Sequence, residues 1–555
     1  MTLIDPVFAA VTAPGTPFEL TERDCLLQFA NAAPDLALMI ESARRHGDKT
    51  FLVDHSPDGA ERRLTFEQVF AWRDALAPML GIRRGDRVAI CMRNRAEWIV
   101  AFMAVIKAGG VAALLNSRGS PAELAAMIAE VTPALVLADS RRAALIREGG
   151  YNGRMLDLTK PFPEEEIARR AAAQVPAPAT AQPLDPAAIL FTSGTTGRVK
   201  GAVLTHRSLI TGLMLMQLSG TMVLHNMARA HGMEPAQLMA AMPQQAVLLV
   251  YPLFHISGLG AAFLSPLFAG SKVVIMRRWD AEEAARLIAA EKITMFSAVP
   301  TMLWDLLHRA QPGEADLSSL RNIASGGQAL PVNLLDAIRE TCPQAVMGTG
   351  YGMTEASGSL AQAVGEDFLR KRSSAGRVLP LAQVRIVSPD GTEQPAGTSG
   401  EIQLKGAMVM AGYWNRPEDT AAAFTEDGWL RTGDVGYIDD EGYIFIVDRV
   451  KDMVISGGEN IYCAEVERVL GELPGVGECA AFGIPDERLG ELLVAVVRGE
   501  GLAEHAVKDW VGERLARYKA PGHVAIVAQP LPRNHVGKVD KIALRAAWPK
   551  LYGEN

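Results

Sequence analysis

The first residues that could do chemistry lie between Ile189 and His206: Ile-Leu-Phe-Thr-Ser-Gly-Thr-Thr-Gly-Arg-Val-Lys-Gly-Ala-Val-Leu-Thr-His. An apolar run enters a stretch of glycines and hydroxyl side chains, passes Lys200, and leaves through a second apolar run. Phosphate oxygens need donors at short range. Glycines let backbone N–H groups approach, serine and threonine add hydroxyls, and Lys200 adds a compact positive charge. Thr192, Ser193, Gly194, Thr195, Thr196, Gly197 and Lys200 are therefore candidate phosphate ligands. The spacing G-x-x-x-x-G-K-[ST] is absent, because Val199 stands five residues after Gly194 and Gly201 follows Lys200. A dinucleotide fingerprint is absent too, since Gly348-Thr-Gly350-Tyr-Gly352 has the wrong spacing. Read alone, the same residues would also make a flexible hairpin loop.

Further segments follow in a fixed order: Tyr351-Gly-Met-Thr-Glu355, Gly400-Glu-Ile-Gln-Leu-Lys-Gly406 with Gly412-Tyr-Trp-Asn-Arg-Pro417, Trp429-Leu-Arg-Thr-Gly-Asp434, Val447-Asp-Arg-Val-Lys-Asp452 and Pro532-Arg-Asn-His-Val-Gly-Lys538. Together with the Gly/Thr/Ser stretch they resemble the adenylate-forming enzymes. These include acyl-CoA synthetases, firefly-type luciferases and the adenylation domains of peptide synthetases. The resemblance spans nearly the whole chain and is nearest to bacterial acid–thiol ligases that act on fatty acids. It implies a two-step reaction. A carboxylate attacks the α-phosphorus of ATP and expels pyrophosphate, and a thiol then attacks the acyl carbon of the adenylate and expels AMP. An anionic nucleophile beside a polyanion makes positioning and charge neutralisation the main catalytic tasks.

The resemblance assigns roles residue by residue. Glu355 is the carboxylate for Mg²⁺, a hard ion suited to phosphate and carboxylate oxygens. Thr354 bonds the α-phosphate, Tyr351 with Gly352 lies along adenine, and Ser325-Gly326-Gly327-Gln328 passes beside nucleotide and acyl group. Asp434 takes the ribose hydroxyls, since a carboxylate can accept from both at once. Arg449 pairs with phosphate or ribose oxygens, and Lys538 is the principal cation of adenylation. Lys451 marks a hinge about which the C-terminal domain turns between the two steps. Gly350, Ser456, Gly457, Gly458 and His255 belong to the acyl and thiol channels. Without the resemblance most of these would read as turn glycines, solvated charges and a core histidine. Val199, Cys463 and Val536 depart from the usual pattern, and none of them removes a charge or a key glycine.

The elements that must hold these residues follow from hydrophobic pattern. Strand-like runs at Arg87–Met92, Ala134–Ala138 and Lys272–Met276 alternate with helical spacing over Glu97–Ala108 and Ala281–Ala290, which predicts α/β layers around parallel sheets. An Ala/Pro-rich connector covers 171–186. Short strands with frequent Gly, Asp and Pro from Arg377 predict a small β subdomain. An α+β unit of about a hundred residues closes the chain. The expected fold class is α/β: a large N-terminal domain at 1–447 with layered α/β subdomains and a barrel-like β subdomain, a hinge at 448–451, and a smaller mobile C-terminal domain at 452–555.

Composition excludes other classes. The 555 residues are 49% hydrophobic and 21% charged, and 55 basic against 63 acidic residues give a net charge of −8. Disorder and fibrous architecture are excluded on that balance. A mildly acidic chain without a basic block argues against nucleic acid as a partner. Cys25, Cys91, Cys342, Cys463 and Cys479 are scattered without metal-ligand spacing, which predicts free thiols in a reducing, cytoplasmic setting. No secretory leader and no transmembrane segment are expected.

The Met-rich stretch Thr211–Val250 suits either a plastic acyl wall or lid, a membrane-surface patch, or plain helical core. No cluster of Arg or Lys along the sequence marks a second carboxylate on the substrate. The expected partners are ATP, Mg²⁺, CoA and an apolar monocarboxylic acid, a medium- or long-chain fatty acid ahead of an aryl acid, with a monomer or homodimer and peripheral membrane contact allowed. Loading of a carrier protein, a luciferase-like oxygenase and a non-catalytic nucleotide binder are the competing readings.

Overall fold

The computed structural model describes residues 6–55, 61–159, 180–193, 199–308, 316–326, 332–449, 453–456, 459–533 and 539–553. Two compact units divide the chain. The first holds residues 1–383 and 404–430, the second 384–403 and 431–555.

The first unit is built on two large sheets. One has seven strands in the order Gly412–Tyr413, Val199–Thr205, Pro186–Ser193, Val111–Leu114, Arg87–Cys91, Leu135–Ala138, Met155–Asp157. From Pro186–Ser193 to Met155–Asp157 its pairings are parallel. Those parallel strands are apolar throughout their centres because helices cover both faces. The helix Ala96–Lys107 is buried along its entire length. The other sheet has nine strands, with a parallel centre formed by Thr50–His55, Lys272–Ile275, Ala246–Leu249, Met295–Ala298, Asn322–Gly326 and Val346–Met353. Antiparallel strands close both of its edges. The expected strands and helices fall within a residue or two of these elements.

Two local signals fix the phosphate segment. Pro186–Ser193 and Val199–Thr205 form an antiparallel pair in which Lys200 faces Thr192. The second strand runs straight into the helix His206–Ala230. There Thr205 accepts from the Ser208 N–H and the Ser208 hydroxyl accepts from the Thr205 N–H, a reciprocal cap worth about 1 kcal/mol. The helix start is tied to the chain near its beginning, because the buried His206 Nδ1 accepts from the Leu36 N–H at 3.0 Å.

The second unit holds a sheet ordered Gln383–Val387, Gly400–Lys405, Leu430–Ile438, Ile444–Arg449, whose terminal residues reach across the unit boundary in sequence. It also holds a five-stranded sheet whose centre is Gly490–Gly499, paired with Val476–Asp486, Val454–Ser456 and His523–Val527. The small β sheet therefore groups with the C-terminal residues, where its composition alone had placed it with the N-terminal domain. Within this unit Asp448, buried at the end of Ile444–Arg449, accepts from the Ala464 N–H in the first turn of the helix Cys463–Gly471. The expected hinge begins at that strand end, and residues 450–452 lie outside the described set.

The Met-rich stretch divides in two. The first half of His206–Ala230 is core, with Leu209, Ile210, Leu213, Met214, Leu215 and Leu218 buried. Met227, Met233, Met239 and Met242 are exposed, Met239 by 60%, and the helix Pro235–Ala241 buries nothing. His206–Ala230 is the one helix among the described residues long and apolar enough to cross a membrane, and half of its apolar window is buried in the protein. All five cysteines are unpaired.

Candidate active site

The first unit gathers part of the expected site around Glu355. Strand Val346–Met353 carries Gly350, Tyr351 and Gly352, and the next residues, Thr354–Ala356, make one turn of 3₁₀ helix that ends at Ser357 with φ 54°. The sharp exit needs glycine at 352, where a Cβ would lie 2.1 Å from the Gly358 carbonyl oxygen. Glu355 is only 8% exposed. Its Oε1 accepts from the Tyr413 hydroxyl at 3.0 Å, and its carbonyl accepts from the Met410 N–H at 2.8 Å. Beside this turn, Ser325 and Gly326 pair in parallel with Thr349 and Gly350, and the buried Ser325 hydroxyl has no hydrogen-bond partner among the described residues.

The phosphate hairpin meets the same group from the other side. Tyr413 pairs with Ala202 on the strand that carries Lys200, and the Lys200 ammonium sits 5.2 Å from the centre of the Tyr413 ring. Lys200 is ion-paired with Asp419 on the helix Pro417–Ala423. Glu130 braces the strand, accepting from the Gly201 N–H at 3.3 Å and from Arg416 at 2.8 Å. The structure thus brings Lys200 and Glu355 to one residue, Tyr413, that the sequence reading quoted in a motif but did not place in the site. Burial, then the charge of Glu355, raises the Tyr413 phenol far above its ordinary range, so it stays a hydrogen-bond donor at all working pH.

Other expected residues are placed without being brought together. Thr192 is half-buried opposite Lys200. The Ser193 side chain, Gly194, Thr195, Thr196, Gly197, Gly327, Gln328, the Arg449 side chain, Lys451, Gly457, Gly458 and Lys538 lie outside the described residues. Asp434 is buried at 6% exposure in the second unit and registers with Arg449 across the strand pair Leu430–Ile438 and Ile444–Arg449. Ser456, in the same unit, registers with Glu459 and Gly490. His255 belongs to the first unit. Its N–H donates to the Pro252 carbonyl at 3.0 Å, its ring lies against Phe254, and it precedes a π-helix at Ser257–Leu264. Such widened turns gather at functional positions. Gly260 of that helix faces Met216, whose Cε would lie 3.7 Å from a Cβ there.

A second cationic feature in the first unit has no counterpart in the sequence reading. A polar pocket is lined by Arg93, Asn94, Ser117, Arg118, Arg277, Arg278 and Trp279, with Val250 and Pro252. These residues follow the C-terminal ends of parallel strands in both sheets, where ligands of α/β proteins bind. Asn94 ties the two sets of ends together, donating to the Tyr251 carbonyl and accepting from the Leu253 N–H. Burial, and then the charges of Arg142, Arg118 and Arg141, hold the Arg93 guanidinium down to about 10 against the pull of Asp139. Of the four guanidiniums in the lining, that of Arg277 is ion-paired with the buried Asp54 at 2.9 Å. Spread over nearly two hundred residues, with only Arg277 and Arg278 adjacent, these arginines make no larger cluster in sequence; their position just after strand ends is the signal that would have found them.

Comparison with known proteins gives the family. A family model described as AMP-binding enzyme matches residues 39–414, and one described as AMP-binding enzyme C-terminal domain matches 465–538. The chain belongs to the AMP-binding enzyme family. It is 35% identical over 495 residues to the long-chain-fatty-acid–CoA ligase FadD13 of Mycobacterium tuberculosis, spanning 88% of this chain and 93% of that one. It is 34% identical to an indoleacetate–CoA ligase of Aromatoleum aromaticum, spanning 87% and 93%. Among solved structures it resembles ATP-bound MatB from Rhodopseudomonas palustris, with a TM-score of 0.77, 29% identity and coverage of 92% and 99%. It also resembles the Bacillus subtilis o-succinylbenzoate CoA synthetase MenE in complex with ATP and magnesium ion, with a TM-score of 0.73, 30% identity and coverage of 91% and 98%. The protein is an ATP-dependent, AMP-forming acid–thiol ligase of the acyl- and aryl-CoA ligase group, working with ATP, Mg²⁺ and CoA.

Proposed function

We propose that this ligase is an acyl-CoA synthetase for apolar monocarboxylic acids, with medium- and long-chain fatty acids as its main substrates. The observation that carries the proposal is the apolar wall that the π-helix Ser257–Leu264 and the helix His206–Ala230 share at Gly260 and Met216, continuous in sequence with exposed methionines. Unbranched methionine side chains adapt to acyl chains of differing shape. The exposed end at Met227–Met242 suits brief contact with a membrane surface that holds such acids. Free thiols throughout fit the reducing cytoplasm as the working compartment. The relatives that act on ring-bearing acids support an aryl substrate as the second reading.

Glu355 fits the Mg²⁺ of the nucleotide: it is a nearly buried carboxylate with one oxygen held by Tyr413 and the other without a hydrogen bond among the described residues. When bound, the ion would draw charge from phosphate oxygens during displacement of pyrophosphate. The chain's own residues do the rest. Thr354, Lys200 and the glycines of the hairpin hold phosphate oxygens. Asp434 holds the ribose, Arg449 pairs with phosphate or ribose oxygens, and Lys538 neutralises the charge that builds between carboxylate and α-phosphate. The arginine pocket is assigned to the acceptor. CoA carries three phosphate groups where the arm of a carrier protein carries one, so a cluster of guanidiniums favours free CoA.

The test is pyrophosphate release with ATP and Mg²⁺ across linear fatty acids and aryl acids, with and without CoA, with products identified by mass spectrometry. Fatty acyl-CoA as the best product is expected. Preference for aryl acids would replace the substrate, and an adenylate that CoA never consumes would overturn the acceptor.

A further inference from the structure

We propose that Tyr413 is a positioning residue that sets the carboxylate of Glu355 in place for the metal-bearing nucleotide and couples it to the phosphate hairpin. The inference rests on the reading of Glu355 as the metal carboxylate and goes beyond it by naming what orients that group.

A glutamate has three side-chain torsions, and a carboxylate free to turn would offer its oxygens to a metal only part of the time. Here the backbone of Glu355 is fixed by its place in the 3₁₀ turn and by the bond from the Met410 N–H. The Tyr413 hydroxyl then holds Oε1 at 3.0 Å and leaves Oε2 as the oxygen open to a ligand.

Tyr413 is itself fixed at both ends. Its N–H donates to the Thr420 hydroxyl at 2.9 Å, and Thr420 in turn donates to the Arg416 carbonyl at 2.8 Å. The preceding Gly412, at φ 142°, leaves no room for a side chain, since a Cβ would meet Thr420 at 2.6 Å. Its backbone pairs with Ala202, two residues from Lys200, and its ring faces the Lys200 ammonium, which Asp419 neutralises. The residue therefore serves as a rigid donor between a metal carboxylate and a phosphate cation.

The experiment counts Mn²⁺ bound to the full-length enzyme with ATP, by electron paramagnetic resonance, with no carboxylic acid present so that no turnover occurs. Tyr413→Phe keeps the ring and removes only the hydroxyl. It should weaken Mn²⁺ binding about tenfold, the usual scale for a hydrogen bond to a charged group, while metal-free ATP binding in EDTA stays as in the parent. In a Glu355→Gln background the same change should have no further effect. Unchanged Mn²⁺ affinity in Tyr413→Phe would overturn the proposal. So would an equal loss of metal-free ATP binding, which would show a packing role only. If Glu355→Gln alone leaves Mn²⁺ binding unchanged, the reading of Glu355 fails first, and that outcome is distinct from the other two.

Discussion

Two groups of cations in the first unit are handled differently. Lys200 lies beside Tyr413 with Asp419 as a built-in counter-ion, and its neighbours form a closed set of bonds that ends at Glu355. Arg93 and Arg118 sit among other guanidiniums, and burial with mutual repulsion depresses Arg93 to about 10. The first arrangement spends its charge internally and gains geometry: phosphate and metal groups are set before a ligand arrives. The second pairs Arg277 with Asp54 and leaves Arg93 repelled by neighbouring arginines against the pull of Asp139, so a polyanion entering it would relieve that repulsion. One is suited to chemistry at a fixed point, the other to capture of a large, multiply charged co-substrate. The comparison teaches that charge count alone says little about a site until the counter-charges are located.

The comparison can be broken by substitution. The largest effect is expected from Lys538→Ala, which should slow acyl-adenylate formation about a thousandfold while thioester formation from supplied adenylate is nearly unchanged. Equal loss in both steps, by stopped-flow assay, would remove Lys538 from its step-specific role. Next, Arg93→Ala with Arg118→Ala should raise the KM for CoA about thirtyfold, two charge-assisted contacts at a few kcal/mol or less apiece, without moving the KM for ATP. A parallel rise for ATP would place the pocket with the nucleotide and erase the contrast.

Asp419→Asn sharpens the first half of the contrast. Freed of its counter-ion, Lys200 should bind phosphate more readily, and dissociation of ATP measured by calorimetry should fall by about threefold or leave a stronger salt dependence. No change in affinity or salt dependence would mean that Asp419 does not restrain Lys200.

The smallest effect concerns the anchor of the hairpin. Burial depresses the His206 imidazole below its ordinary 6.5, with the nearby carboxylates of Asp35 and Asp185 opposing. The unfolded chain therefore binds a proton there more readily than the folded one, so this contribution is present above pH 6.5 and is lost as pH falls through the lower folded value. Thermal unfolding between pH 7 and 5 should show a fall of a few degrees that His206→Gln reduces; an unaltered slope in the variant would contradict it.

Much of the fold was legible in the residues because its strands are buried on both faces and its helices are capped by short-range signals. The runs Val88–Cys91, Leu135–Ala138 and Val273–Ile275 are apolar and buried throughout, as strands in a covered sheet are. The site was legible where it is local. The hairpin around Lys200 and the turn at Glu355 each lie within a few residues of sequence. What could not be read is what tertiary folding alone brings together: Tyr413 beside Glu355, Asp419 beside Lys200, and arginines from three strand ends in one pocket. The grouping of residues 384–403 with 431–555 is likewise a matter of tertiary contacts, among them the bond from the Ala464 N–H to Asp448.

The central claim is that the two half-reactions draw on separate charge arrangements in one unit. The most direct measurement is a pair of single-turnover assays on Glu355→Gln and on Arg118→Ala, one following pyrophosphate release and the other following acyl transfer from preformed adenylate to CoA. The account predicts a crossing: Glu355→Gln slows the first and spares the second, and Arg118→Ala does the reverse. Two variants that each slow both steps in equal measure would contradict it.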